Sequence, residues 1–160
     1  MQTHADALKR QLALASTYKP LLTDYLQALV QGKAALYQRL TPEFAKRLSG
    51  DPKRFSENDR VLVTIWELWE GQSKQAMTLV ILGVREQHNT VELWLREELL
   101  ARSEKQLSSV KSMTLHWERK QTWRKTAQGW RLSAVEKAKT PKNILLNAQL
   151  RISLPSTDRV

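Results

Sequence analysis

Three histidines, sixteen carboxylates and no cysteine set the chemistry open to this 160-residue sequence. His4, His88 and His116 lie far apart, and no group of acids has the spacing of a metal site. Glu97 and Glu98 are adjacent, so on a strand they point to opposite faces. Without cysteine there is no thiolate ligand, thiol nucleophile or disulfide framework. Five glycines, none in a phosphate-loop or G-x-S-x-G pattern, argue against cradling of phosphate by backbone and against a serine-hydrolase elbow. No metal or cofactor is expected, and no catalytic set is read from the spacings. The residue types left with binding chemistry are six tryptophans and a large excess of base over acid.

The formal net charge is +10, from 26 Lys and Arg against 16 Asp and Glu. It is concentrated: residues 101–142 hold eleven Lys or Arg and only Glu104, Glu118 and Glu136. Such a stretch suits an acidic protein, nucleic acid or acidic lipid headgroups, or else a solvated strand face. Hydrophobic content of 41% and charged content of 26% fit one globular domain with one core. The apolar runs are too short to span a bilayer and the first residues begin no signal core, so the chain reads as cytoplasmic. A periplasmic domain cut from a larger envelope protein would read the same way.

The elements that carry these residues follow from periodicity. Residues 110–135 alternate as a β-hairpin about a turn at 126–129. Met113, Leu115, Trp117 and Trp123 share one parity, while Thr114, His116, Glu118, Lys120, Thr122 and Arg124 share the other. After the turn Trp130, Leu132 and Ala134 face one side and Arg131, Ser133 and Val135 the other, so three tryptophans meet one core. Helical spacing predicts a helix over 4–17 and a second over 21–31, with Pro20 near its first turn and Gly32 as its stop. Thr41-Pro42-Glu43 reads as cap, first position and acidic first turn of a short helix, followed by a loop over 49–54.

Residues 56–71 carry both signals. Ser56-Glu-Asn-Asp59 resembles a helix cap, yet Val61 to Ile65 favour a buried strand, and the strand is preferred here, paired with 76–85. A strand over 90–100 follows a His88-Asn89 turn, with Trp94 on the face of Glu92, Arg96 and Glu98, which predicts an exposed indole suited to an interface. The last strand is read over 144–154. Helices first and strands after indicate an α+β domain, N-terminal helices packed on a mainly antiparallel sheet of five or six strands. Residues 1–19 read as a helical extension and 20–160 as the domain.

The stretches LQALVQGKAALYQRLTPE (26–43) and QTWRKTAQGWRLS (121–133) resemble the opening helices and closing hairpin of the SnoaL-like and nuclear-transport-factor-2-like superfamily. The resemblance implies a cone, a curved sheet wrapped around the helices with a pocket at its wide end. It also implies that a base, if there is one, is an Asp or His in that pocket, which directs attention to Asp24, Tyr18, Tyr25, Tyr37, His88 and His116. The reading favoured for His88 and His116 is surface placement, and for Asp24 a solvent-facing position. Two surfaces result as candidates. A ligand pocket would be lined by Tyr25, Trp117 and Trp130, with one carboxylate inside. A partner or polyanion surface would carry Trp94, Lys120, Arg124, Arg131 and Lys137. The function preferred is non-enzymatic association, as a homodimer through the open sheet face or as a module of a larger assembly with an acidic partner. A small-molecule pocket protein or SnoaL-like isomerase or hydratase comes second, and nucleic-acid binding third.

Overall fold

The computed structural model describes residues 4–70, 77–102, 112–146 and 150–154. Five helices precede five strands, the order expected of the α+β class: α1 His4–Thr17, α2 Lys19–Gln31, α3 Lys33–Tyr37, α4 Pro42–Leu48 and α5 Glu57–Glu70, then β1 Met77–Gln87, β2 Thr90–Arg102, β3 Ser112–Thr126, β4 Gly129–Lys137 and β5 Leu150–Ser153. All strand pairings within the sheet are antiparallel, in the order β4-β3-β2-β1-β5. The helices cover one face, where Leu22, Tyr25, Leu26, Leu62 and Ile65 meet Leu79, Ile81, Leu93, Leu95 and Trp123. Ala15 and Tyr18, from the end of α1 and the residue joining it to α2, are buried in this same core.

The local signals account for most boundaries. Pro20 stands in the first turn of α2, where a missing N–H leaves no bond unmade, and Gly32 ends it at φ 115°. The Thr41 hydroxyl accepts from the Phe44 amide at 3.3 Å and caps α4. Asn89, at φ 59°, closes the two-residue turn between β1 and β2, and Gly129, at φ 101°, ends the turn between β3 and β4.

The strand preferred over 56–71 is a helix. Ser56 Oγ accepts from the Asp59 amide at 3.1 Å, and Leu62, Ile65 and Trp66 are buried at helical spacing while Val61 is exposed. Capping and a single buried stripe outweigh the strand preference of Val61, Val63 and Ile65, which is a weak prior wherever packing disagrees. The segment 76–85 therefore has no partner there; β1 pairs instead with β2 and β5.

The final strand is also shorter than the alternation implied. Lys142–Ile144 form a 3-10 turn and only Leu150–Ser153 pair with β1. After β4, residues 138–146 run as a strap across the outer face of the sheet. Thr140 donates from its amide and hydroxyl to Glu118 on β3, and the Leu146 amide donates to the Leu82 carbonyl of β1 at 2.8 Å. Gly83 lets the strap approach: a β-carbon there would stand 2.9 Å from Thr140 Cγ2 and 3.1 Å from the Ile144 carbonyl oxygen. Trp94 is the register partner of Gly83 and only 3% exposed, with Arg85 and Lys120 over its ring. The exposed Trp94 expected from parity is thus buried, because a distant segment and two neighbouring cations cover the polar face.

Two bulges bend the sheet and break parity. One falls between Ile81 and Gly83 on β1, the other at Ser133 on β4. The second reverses the faces expected beyond it, so that Val135 is the inward residue at 3% exposure and Ala134 lies half-buried.

Replacing Gly83 with Val should lift the strap from the sheet. Overpacking of this kind destabilises by about 1–3 kcal/mol. Urea unfolding is expected to show that loss, together with a red-shifted tryptophan emission that a Trp94→Phe background removes. An unchanged midpoint would contradict the account of the strap.

Candidate functional site

The inner face of β2 and β3 should be apolar where the helices cover it. On β2 it presents Leu93, Leu95, Glu97 and Leu99, and on β3 Leu115, Trp117, Arg119, Gln121 and Trp123. Glu97 is 2% exposed, Arg119 4% and Gln121 0%. Register places Trp117 opposite Glu97 and Leu95 opposite Arg119, so Glu97 and Arg119 are diagonal neighbours across the two strands. Tyr25 of α2 and Trp66 of α5 close the group from the helical layer.

Some of its hydrogen bonds are complete. The Trp66 indole donates to the Tyr25 hydroxyl at 2.8 Å, and the Trp123 indole donates to Gln121 Oε1 at 2.9 Å. The Tyr25 ring meets Trp123 edge-on at 5.9 Å between centroids. Others are not. Glu97 Oε1, Arg119 Nη1 and Gln121 Nε2 are buried without a hydrogen-bond partner among the described residues, as is Gln11 Oε1 on α1. The Gln121 side chain also lies close enough to the Tyr25 hydroxyl to influence it. A buried polar atom left unpaired costs about 1–3 kcal/mol, so three gathered on one face of two adjacent strands mark a place where a polar partner would be accommodated.

Electrostatics point the same way. Burial pushes the Glu97 carboxyl above its ordinary value and the Arg119 charge pulls it back only in part. Burial, then the Glu97 charge, push the Tyr25 phenol well above the usual range, against smaller opposing effects from Trp66, Arg119 and Gln121. Tyr25 is a hydrogen-bonding group here and not a base. Burial holds the Glu97 carboxyl toward its neutral form.

Of the residues proposed to line a pocket, Tyr25 lies inside this cluster, while Trp117 and Trp130 are half-buried and packed against the core. Trp117 stands beside Arg119, whereas Trp130 meets Tyr18 edge-on at 6.0 Å. The buried carboxylate of the cluster is Glu97. It was not among the candidates, nor were Arg119 and Gln121, although all three occupy the apolar parity of their strands. Asp24 forms a two-point ion pair with Arg39 at 3.0 and 3.1 Å. His88 and His116 are exposed, Tyr18 donates to Glu86, and Tyr37 donates to the Leu48 carbonyl at 3.4 Å. Among the described residues no three His, Asp or Glu gather as a metal site, and no helix is long and apolar enough to cross a membrane.

The residues proposed for a partner surface are divided by the structure. Lys120 reaches Glu92 at 3.1 Å and Glu136 at 3.6 Å, and Arg85 also pairs with Glu92. Burial pushes the Glu92 carboxyl up, but those two cations outweigh it and hold it below its ordinary value. Arg96 and Arg151 hold Glu98 in the same way. The middle of the outer face is therefore a ladder of compensated charge under Trp94 and the strap. Arg124 and Arg131 lie directly opposite each other on β3 and β4, away from it, and Lys137 is exposed at the end of β4.

The Glu97 shift has a signed consequence for stability. A carboxyl whose folded value is raised contributes fully below its unfolded value of 4.5, and that contribution falls as pH rises through the folded value. Glu97→Gln should remove this slope: the variant gains stability relative to wild type as pH is raised above 4.5, and the two converge below it. Parallel stability curves from urea titrations at several pH values would refute the assignment.

No family model matches the sequence, and no curated protein matches it. Among solved structures, one described as "a putative dehydratase from the NTF2-like family" of Streptomyces avermitilis is similar to this chain, with 18% identity and a TM-score of 0.43 over 80% of this chain and 93% of that one.

Proposed function

We propose that this domain binds a small polar molecule between its helical layer and its sheet, at Glu97, Arg119 and Gln121. The observation that carries the reading is the set of three buried, unpaired atoms: Arg119 Nη1 and Gln121 Nε2 are donors, and Glu97 Oε1 accepts when ionised and donates when protonated. A ligand oxygen between Arg119 and Gln121 and a ligand hydroxyl or carbonyl at Glu97 would complete them. Sites of this kind combine apolar surroundings with a few convergent polar groups, and here the apolar neighbours are the core residues Leu93, Leu95, Trp123 and the Tyr25 ring. Glu97, beside a fixed cation and held toward its neutral form, also suits proton transfer next to a carbonyl. Catalysis as an isomerase or hydratase of the SnoaL-like kind is the enzymatic form of this reading.

Association with an acidic partner is a second reading, confined to the tip of the β3–β4 hairpin. Arg124 and Arg131 are cross-strand neighbours with no carboxylate partner among the described residues, an arrangement that destabilises the strand pair unless an anion relieves it. Charge reversal of both should abolish capture by an acidic peptide or by a second copy. Retained capture would end this reading.

The pocket is tested by a ligand-observed NMR screen of small hydrogen-bonding fragments. Hits on wild type should bind Gln121→Leu at least tenfold more weakly, a difference of about 1.4 kcal/mol. Fragments that bind both proteins alike would place the ligand elsewhere.

A further inference from the structure

We propose that the natural ligand is an amphipathic carboxylate that enters through the cleft between α5 and the unpaired edge of β3, placing its carboxylate on Arg119 and its apolar body against Trp117 and Val61. This rests on the interior site assigned above and names the class of molecule it takes.

The cleft has a structural cause. Strand β4 pairs with β3 only from Arg119 onward, where Arg119 faces Lys137, so among the described residues β3 has no strand partner on that side from Ser112 to Glu118. The first turn of α5 is tied to β4 by Asn58, whose side-chain amide donates to the Val135 carbonyl at 2.6 Å. The helix then runs beside the uncovered part of β3 and leaves a space of about 780 Å³, bounded by Asn58 and Val61 on the helix and by Trp117, Arg119 and Lys137 on the sheet.

Arg119 joins this space to the interior. It is part of the cleft wall, is 4% exposed, and has Nη1 shut away from solvent without an acceptor, while its charge acts on Glu97. A guanidinium presents donors in a fixed fork that fits the two oxygens of a carboxylate. The wall beside it is apolar. Val61 is one of two large hydrophobic residues exposed among those described, at 44%, and the Trp117 ring is half-buried. Trp117 packs against the core with one part of its ring, and its remaining surface with exposed Val61 is placed to cover an acyl chain or ring.

Charge around the cleft is balanced, Arg119 and Lys137 against Glu57 and Glu118, so the preference for an anion comes from the Arg119 fork and not from the rim. Lys137 and the positive end of α5 stand on its rim with Arg119, and of the two acids there Glu118 is engaged by the Thr140 amide and hydroxyl. Glu57 and Glu118 oppose them on the rim and Glu97 does so from the interior, where burial holds its carboxyl toward the neutral form.

The test uses wild-type protein and matched acid and amide probes: benzoate and benzamide, indole-3-acetate and indole-3-acetamide, hexanoate and hexanamide, each titrated by calorimetry. At least one acid should bind tenfold or more tightly than its amide. That preference should shrink to about one in Arg119→Gln and persist in part in Arg119→Lys. Val61→Glu, at an exposed position that leaves the fold alone, should weaken the acid at least fivefold. If amides bind as well as acids, the carboxylate assignment is wrong while the interior site stands. If the preference survives Arg119→Gln but is lost in Lys137→Gln, the anion sits on the surface and the proposal fails. If no probe of either kind binds, the ligand class and the interior site fall together.

Discussion

Burial of Glu97, Arg119 and Gln121 on a sheet face that is otherwise apolar is the constraint around which this domain is arranged. A carboxyl and a guanidinium taken out of water lose several kcal/mol of hydration each, and their mutual attraction returns that only when their remaining bonding positions are filled. Here those positions are not all filled by the protein. The surrounding structure enforces the placement even so: β2 and β3 pair from Thr90–Arg124 to Arg102–Ser112, and the aromatic layer of Tyr25, Trp66 and Trp123 closes over the site. The fold accepts a polar interior at a cost in stability, which the proposed binding role would account for.

The rest of the fold insulates this interior. Gly83 admits the strap, which covers the outer face and converts an interface-like surface into a closed one. Residues 39–41 lie against the outer edge of β4, where the Leu132 amide donates to the Arg39 carbonyl and the Thr41 amide to the Leu132 carbonyl, so that edge is not left for another strand. Arg47 binds Asp59 at two points and ties α4 to the start of α5, the helix that brings Trp66 to Tyr25. These contacts are peripheral to the chemistry and set its geometry.

Much of the fold was legible because its signals are local. Proline and glycine punctuation marked α2, the Thr41 cap marked α4, and alternation marked the β3–β4 hairpin. What failed depended on distant segments. The cap at Ser56 and the strand-forming run from Val61 to Ile65 contradict each other locally, and burial against Phe44 and Tyr37 chose the helix. Trp94 looked exposed because the residues beside it in sequence are charged, whereas its cover comes from Arg85, Lys120 and the strap. The site was half legible. Arg119, Gln121 and Glu97 interrupt apolar parity on neighbouring strands, and a polar residue at an inward position is a signal in itself. Alternation alone places each on the inner face, but only the strand register shows that they share one neighbourhood, and only the helices' placement shows that they are dry.

The most direct test of the central claim is a high-resolution crystal structure of the protein purified without added ligand, inspected between Glu97, Arg119 and Gln121. The account predicts density for ordered water or a retained small molecule within hydrogen-bond distance of at least two of Glu97 Oε1, Arg119 Nη1 and Gln121 Nε2. A dry interior, in which those three atoms are paired with one another or with the remaining residues of the chain, would show a structural ion-pair network and would contradict the assignment of a binding site.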